Sequence, residues 1–206
     1  MLRIITGRLK GRRVPSPEKG VRPTPQKVRS ALFNILYSRG FPLSGAVVLD
    51  LYCGTGSVGL EAISRGAEKG IFVDISRKIL KKIEAFGERA GIRDRIVLVQ
   101  AELPREVHRI RWEFLGKVDL VFLDPPFSDP APVHLLLESE PFLHLLSDSS
   151  LIVYESHRSA PPPYLPSYEE VDLRRYSQIL LRFFQPLPRK TPDRYLPAGE
   201  RGFSPL

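Results

Sequence analysis

Between Ala46 and Glu155 the chain switches repeatedly between two apolar patterns, and this constrains its fold more than any other feature. Short apolar runs at Ala46–Leu51, Gly70–Asp74, Arg95–Gln100, Val118–Asp124 and Ser150–Glu155 read as buried strands. Between them, Ser57–Arg65, Arg77–Ala90, Leu103–Leu115 and Pro132–Leu146 read as helices. In Arg77–Ala90 the apolar residues Ile79, Leu80, Ile83 and Phe86 fall on one face. Proline is absent between Pro42 and Pro104, as regular core elements require. Strict alternation of strand and helix predicts a Rossmann-like α/β fold, a parallel sheet covered on both faces. The rhythm then changes. Tyr168–Leu173 and Ser177–Phe184 are strands joined by a short turn, which predicts an antiparallel hairpin.

Upstream of this core, Leu2–Thr6 and Arg12–Pro15 read as a hairpin around Gly7–Gly11. Thr24 as N-cap and Pro25 at the first helical position predict a helix over 25–38, with Val28, Leu32, Ile35 and Leu36 inward. Charge is concentrated here. Residues 1–40 hold ten Lys or Arg and one acid, Glu18, whereas the other 166 residues hold 21 basic and 22 acidic residues. Such a block is the electrostatic footprint of a phosphate backbone. Arg3, Arg8, Lys10, Arg12, Arg13, Arg22 and Arg29 are therefore the candidate nucleic-acid contacts. The expected organisation is a basic N-terminal extension (1–40), a catalytic domain (41–185) and a proline-rich extended tail (186–206).

Several classes are excluded. A lone Cys53 rules out a disulfide framework and a cysteine-rich zinc site. The four histidines have no metal-ligand spacing, so no metal is expected. No apolar run approaches the ~20 residues of a membrane span, and the N-terminal apolar stretch is too short for a signal peptide. The expectation is a soluble, cytoplasmic, monomeric protein.

Two motifs carry chemistry. The first is Val47-Val-Leu-Asp-Leu-Tyr-Cys-Gly-Thr-Gly-Ser-Val-Gly, a glycine turn between a strand and a helix. Gly54, Gly56 and Gly59 let backbone approach a ligand closely, and Asp74, ending the next strand, suits the two ribose hydroxyls of an adenosine cofactor. Glycine spacing alone fits NAD as well as S-adenosylmethionine. Asp50, four residues before Gly54, favours S-adenosylmethionine, because a carboxylate there can meet an α-amino group. Cys53 is expected to pack beside the cofactor rather than act as a nucleophile, since no base neighbours it in sequence. Thr55 in the turn and Ile75 after Asp74 are further expected cofactor contacts.

The second motif is Asp124-Pro-Pro-Phe at the end of the fourth strand. An exocyclic amino nitrogen on a nucleobase is a poor nucleophile because its lone pair is conjugated with the ring. Acceptors on its N–H groups orient it and favour pyramidalisation. The Asp124 carboxylate and the Pro125 carbonyl are such acceptors; Pro125 and Pro126 stiffen the backbone, and Phe127 offers a stacking ring. The base must leave any stack to reach this pocket.

Together these motifs resemble the class I amino-group methyltransferases. The segments Arg3-Ile-Ile-Thr-Gly-Arg-Leu-Lys-Gly-Arg-Arg and Arg22-Pro-Thr, with Val28-Arg-Ser-Ala-Leu-Phe-Asn, narrow the likeness to the RsmD family over roughly residues 2–184. That family methylates N2 of a guanine in small-subunit (16S) ribosomal RNA. The resemblance implies a seven-stranded sheet with an antiparallel last strand. It implies S-adenosylmethionine as cofactor, held by Asp50, Gly54, Gly56 and Asp74. It implies a target base held by Asp124, Pro125, Pro126 and Phe127, within an assembled or assembling small subunit. The resemblance also implies a cofactor contact after the third strand, at Gln100 with Ala101, where Gln100 departs from the acid or Asn that many relatives carry. Other readings compatible with the residues are adenine-N6 methylation of DNA or RNA, a non-catalytic RNA-binding assembly protein on the same fold, and an NAD-dependent oxidoreductase.

Overall fold

In the computed structural model, residues 2–17, 24–126 and 133–188 are described. Helix α1 (Gln26–Ser38) precedes strand β1 (Val47–Leu51). Then follow α2 (Ser57–Ser64), β2 (Lys69–Asp74), α3 (Arg77–Ala90), β3 (Ile96–Gln100) and β4 (Val118–Leu123). Two short helices, α4 (Val133–Leu137) and α5 (Glu140–Leu145), lead into β5 (Leu146–His157), β6 (Tyr168–Tyr176) and β7 (Ile179–Pro186).

The seven strands form one sheet in the order β3-β2-β1-β4-β5-β7-β6. Strands β1 to β5 are parallel, and β7 runs antiparallel between β5 and β6. The expected α/β class, parallel core and reversed last strand are all found. Strand order reverses between β1 and β4, so the crevice outside their carboxyl ends is the natural ligand position.

Burial follows the strand alternation. One face carries Leu49, Leu51, Val121, Leu123, Ile152 and Tyr154 into a core with Trp112 and Phe142. The other carries Val48, Leu120, Phe122, Val153, Leu181 and Phe183 against α1, through Val28, Leu32, Phe33 and Leu36. Phe33, rather than Ile35, completes the buried stripe of α1.

Two expected helices are corrected. Residues 103–115 form no α-helix; they make 3₁₀ turns at Val107–Arg109 and Trp112–Phe114. The Trp112 indole N–H donates to the Val107 carbonyl at 2.8 Å, removing an acceptor that a helical ladder would use. The ring is buried edge-on to Phe142, centroids 5.6 Å apart. The single helix expected over 132–146 is two, because Pro141 can stand only in a first helical turn and here opens α5. Strand β5 consequently starts at Leu146, with a register shift against β4 between Val118 and Leu120.

The N-terminal hairpin is reduced to one bridge, Arg3 with Arg13, and is held mainly by α2. Helix α2 is buried on every side, which only an added layer can achieve in so thin a fold. Glu61, fully buried, accepts the amides of Ile5 at 2.7 Å and Thr6 at 2.9 Å. The Ser64 hydroxyl donates to the Thr6 carbonyl at 2.6 Å and accepts from the Leu9 amide at 3.0 Å. Ile4, Leu9 and Val14 fill one cluster with Leu60, Ile63, Phe72 and Ile79. No helix among the described residues is long and apolar enough to cross a membrane.

Candidate cofactor and base site

The glycine turn follows directly from the end of β1. Tyr52 has φ 56°, Gly54 φ 49° and Gly56 φ 69°, so the chain reverses through left-handed conformations before α2 begins. The reversal is locked by the Gly56 amide on the Cys53 carbonyl at 2.7 Å and the Cys53 amide on the Val73 carbonyl at 3.0 Å. Asp74 closes it from β2. Its Oδ2 accepts the Gly54 amide at 2.8 Å and its Oδ1 accepts the Ser76 amide at 2.8 Å. Ser76 in turn caps α3 by accepting the Ile79 amide.

Asp50 lies beneath the turn, 2% exposed, with Oδ2 accepting the Gly59 amide at 2.9 Å. Burial first, then the negative charges of Asp124 and Asp74, raise its carboxyl well above the usual carboxylate range. It braces the turn from below. At Gly59 a Cβ would come within 2.5 Å of the Phe72 ring and 3.2 Å of Asp50 Oδ2, so helix-to-strand packing requires glycine there. Cys53 is buried, and burial together with Asp50 and Asp74 pushes its thiol up, which agrees with a packed, inert sulfur. Thr55 is likewise buried.

Beyond Asp74 the surface opens. Ile75 is 60% exposed, an aliphatic ledge beside a carboxylate. The Gln100 Nε2 donates to the Ile75 carbonyl at 3.3 Å, which leaves Oε1 to accept from a ligand. The Ala101 amide is taken by the Asp74 carbonyl at 3.1 Å, so Ala101 adds wall and no donor. A left-handed glycine turn, a terminal carboxylate and an exposed aliphatic ledge fit an adenosine cofactor.

The sheet register brings the second motif to this turn. Leu51 pairs with Leu123, so the next residues, Tyr52 and Asp124, leave adjacent strands side by side. Asp124 is half-buried, Pro125 buried and Pro126 exposed. Burial raises the Asp124 carboxyl from 3.8 to about 7, partly opposed by a hydrogen bond from Thr24. The Thr24 hydroxyl donates to Asp124 Oδ2 at 3.2 Å. Thr24 was expected to cap α1, but Pro25 holds that position with no side-chain cap. Phe127 and Arg22 lie outside the described residues.

The basic residues divide. Arg3, Arg8, Lys10, Arg12 and Arg13 are exposed. Arg3 and Arg12 also brace backbone, donating to the Gly11 and Arg89 carbonyls. The turn at 7–11 docks on Ser64, at the end of α2 remote from the glycine turn, which sets Arg8 and Lys10 away from the crevice by the length of that helix. Arg29 is corrected. It is 0% exposed, its Nη2 donates to the Arg3 carbonyl at 2.5 Å, and its Nε lies 4.0 Å from Glu61. It is an internal tie between α1, α2 and the hairpin. Sequence reasoning also passed over Glu61, whose signal was a lone acid in the otherwise apolar and small Ser57–Ser64.

Residues 2–185 match the family described as Conserved hypothetical protein 95. The chain belongs to this family. The chain is 30% identical, over 89% of each chain, to the ribosomal RNA small subunit methyltransferase D of Escherichia coli. A solved Escherichia coli structure, described provisionally as the methyltransferase YhhF, is 29% identical. It superposes with a TM-score of 0.71 over 90% of this chain and 97% of its own. An RNA methyltransferase from Salinibacter ruber, solved with S-adenosyl-L-homocysteine, shares the fold at 18% identity. Its TM-score is 0.59, over 84% of this chain and 97% of its own. The fold and family expected from the residues are those found, and the molecule bound in the Salinibacter ruber structure is the demethylated form of the expected cofactor.

Proposed function

We propose that the protein is an S-adenosylmethionine-dependent methyltransferase that modifies the exocyclic N2 of a guanine in small-subunit ribosomal RNA. The observation that carries this reading is the pairing of Leu51 with Leu123, which sets a cofactor turn beside Asp124-Pro-Pro. The RNA substrate rests on the relatives named for it and on the exposed cations of the N-terminal hairpin. The assembled or assembling small subunit is taken as the physiological substrate, and the protein is taken to act as a cytoplasmic monomer.

When bound, the cofactor supplies an electrophilic methyl group: one N–C bond forms as one S–C bond breaks, and the sulfonium charge is discharged. Gly54, Gly56, Asp74, Ile75 and Gln100 would hold it, with Asp50, Cys53 and Thr55 shaping the turn. Asp124 and the Pro125 carbonyl accept the two N–H groups of the target amine. This orients its lone pair and lets the carboxylate receive the proton released. Phe127 is assigned the stacking face for the extruded base. Rate enhancement comes from positioning and from preorganised acceptors.

The test is transfer of labelled methyl to unmodified small subunits, naked small-subunit RNA, DNA and protein, followed by nucleoside analysis. We expect N2-methylguanosine from small subunits, and none from Asp124→Ala although that variant still binds cofactor. Label in N6-methyladenine would overturn the guanine assignment. Full activity in Asp124→Ala would overturn the acceptor mechanism.

A further inference from the structure

The Thr24 contact spans 100 residues of sequence and joins the basic N-terminal segment to the candidate catalytic carboxylate. Three features make it more than a surface contact. Thr24 is 5% exposed, so its hydroxyl has little water to bond instead. It precedes a helix anchored from two sides: Val28, Leu32, Phe33 and Leu36 against the sheet, and Arg29 against Glu61 and the Arg3 carbonyl. Its single proton goes to Asp124 Oδ2, so Thr24 leaves the acceptor capacity of Oδ1 unused.

We propose that Thr24 is a positioning residue for methyl transfer: it fixes the rotation of the Asp124 carboxylate so that one oxygen is reserved for the target amino group. The proposal rests on the acceptor role given to Asp124 above. A hydroxyl donor also favours the ionised carboxylate, the form that accepts from an N–H group. The ionisable groups facing Asp124 are Asp50 from β1, with Asp74 beyond it, and Tyr154 from β5, its hydroxyl pushed up by burial and moderated by Arg182 of β7; Glu155 is buried next along β5. Burial raises the Asp124 carboxyl, and the Thr24 hydrogen bond opposes it.

Thr24→Val keeps the shape and removes the donor; Thr24→Ser keeps the donor. We expect kcat of Thr24→Val to fall about tenfold at pH 6, with its acid limb moved up by about one pH unit. Affinity for S-adenosylmethionine and thermal unfolding should stay near those of the native protein, and Thr24→Ser should restore the native profile. An unshifted limb in Thr24→Val, or a loss equal at every pH that Thr24→Ser does not restore, would overturn the proposal. Asp124→Ala separates the two claims. An inactive Asp124→Ala with an unshifted Thr24→Val sinks the positioning role alone, whereas an active Asp124→Ala sinks the acceptor role beneath it.

Discussion

At the scale of single residues, the site contains a carboxylate whose ionised form is costly to the fold. Asp124 ionises near 3.8 when exposed and at about 7 in the folded chain. The unfolded chain therefore gives up this proton first as pH rises, and the group's contribution to stability is lost between about pH 4 and about pH 7. We expect Asp124→Asn to be more stable than the native protein above pH 7, by up to about 4 kcal/mol, with the difference closing towards pH 4. Denaturant titrations at pH 4.5 and pH 8 read this directly; equal gains at both would place the cause elsewhere than ionisation. Arg29 shows the opposite economy. Burial lowers its guanidinium, Glu61 raises it, and the pair survives because the same carboxylate also holds two backbone amides of the hairpin.

At the scale of elements, legibility followed how local the determinant was. The stripe of α3 and the left-handed glycines of the turn are set by neighbours within a few residues, and they stood plainly in the sequence. The helix expected over 103–115 failed because Trp112 bonds back to Val107 and seeks Phe142, a partner 30 residues on. The helix over 132–146 failed because the weight of Pro141 was missed, although it could have been read. Thr24 and Arg29 were misread for one reason: each is polar, near a basic block, and has its partner far away in sequence. The hairpin makes a sharper test of its own attachment. Gly7 has φ +86°, and a Cβ there would lie 1.8 Å from the Ser64 carbonyl oxygen. Gly7→Ala should detach the hairpin from α2 and cost about 1–3 kcal/mol. RNA affinity should fall severalfold while S-adenosylmethionine affinity, set at the other end of α2, stays unchanged. Equal losses of both would mean that the hairpin supports the whole domain rather than the substrate.

At the scale of the whole molecule, charge and chemistry occupy different ends of one helix. The exposed cations Arg8, Lys10 and Arg13 belong to the hairpin docked at the far end of α2, so an RNA that meets both them and the glycine turn must span at least that helix. The combined change of these three to Ala should weaken RNA binding and reduce the slope of log K against log salt by about 2. A slope unchanged by the triple variant would mean that the basic face contacts no phosphate.

The long-range ties of the N-terminal segment also fix an order of assembly. The amides of Ile5 and Thr6 wait for Glu61, and the hydroxyl of Thr24 waits for Asp124. During synthesis from the N-terminus, the segment that carries the positive charge has no seat until α2 emerges. Its link to Asp124 cannot form until β4 has been made. A nascent chain therefore passes through no stage in which a seated basic arm stands on its own ahead of the helix that follows the glycine turn. The seat of the arm and the end of the glycine turn are supplied by the same helix, and the arm meets Asp124 only when the central strand is in place.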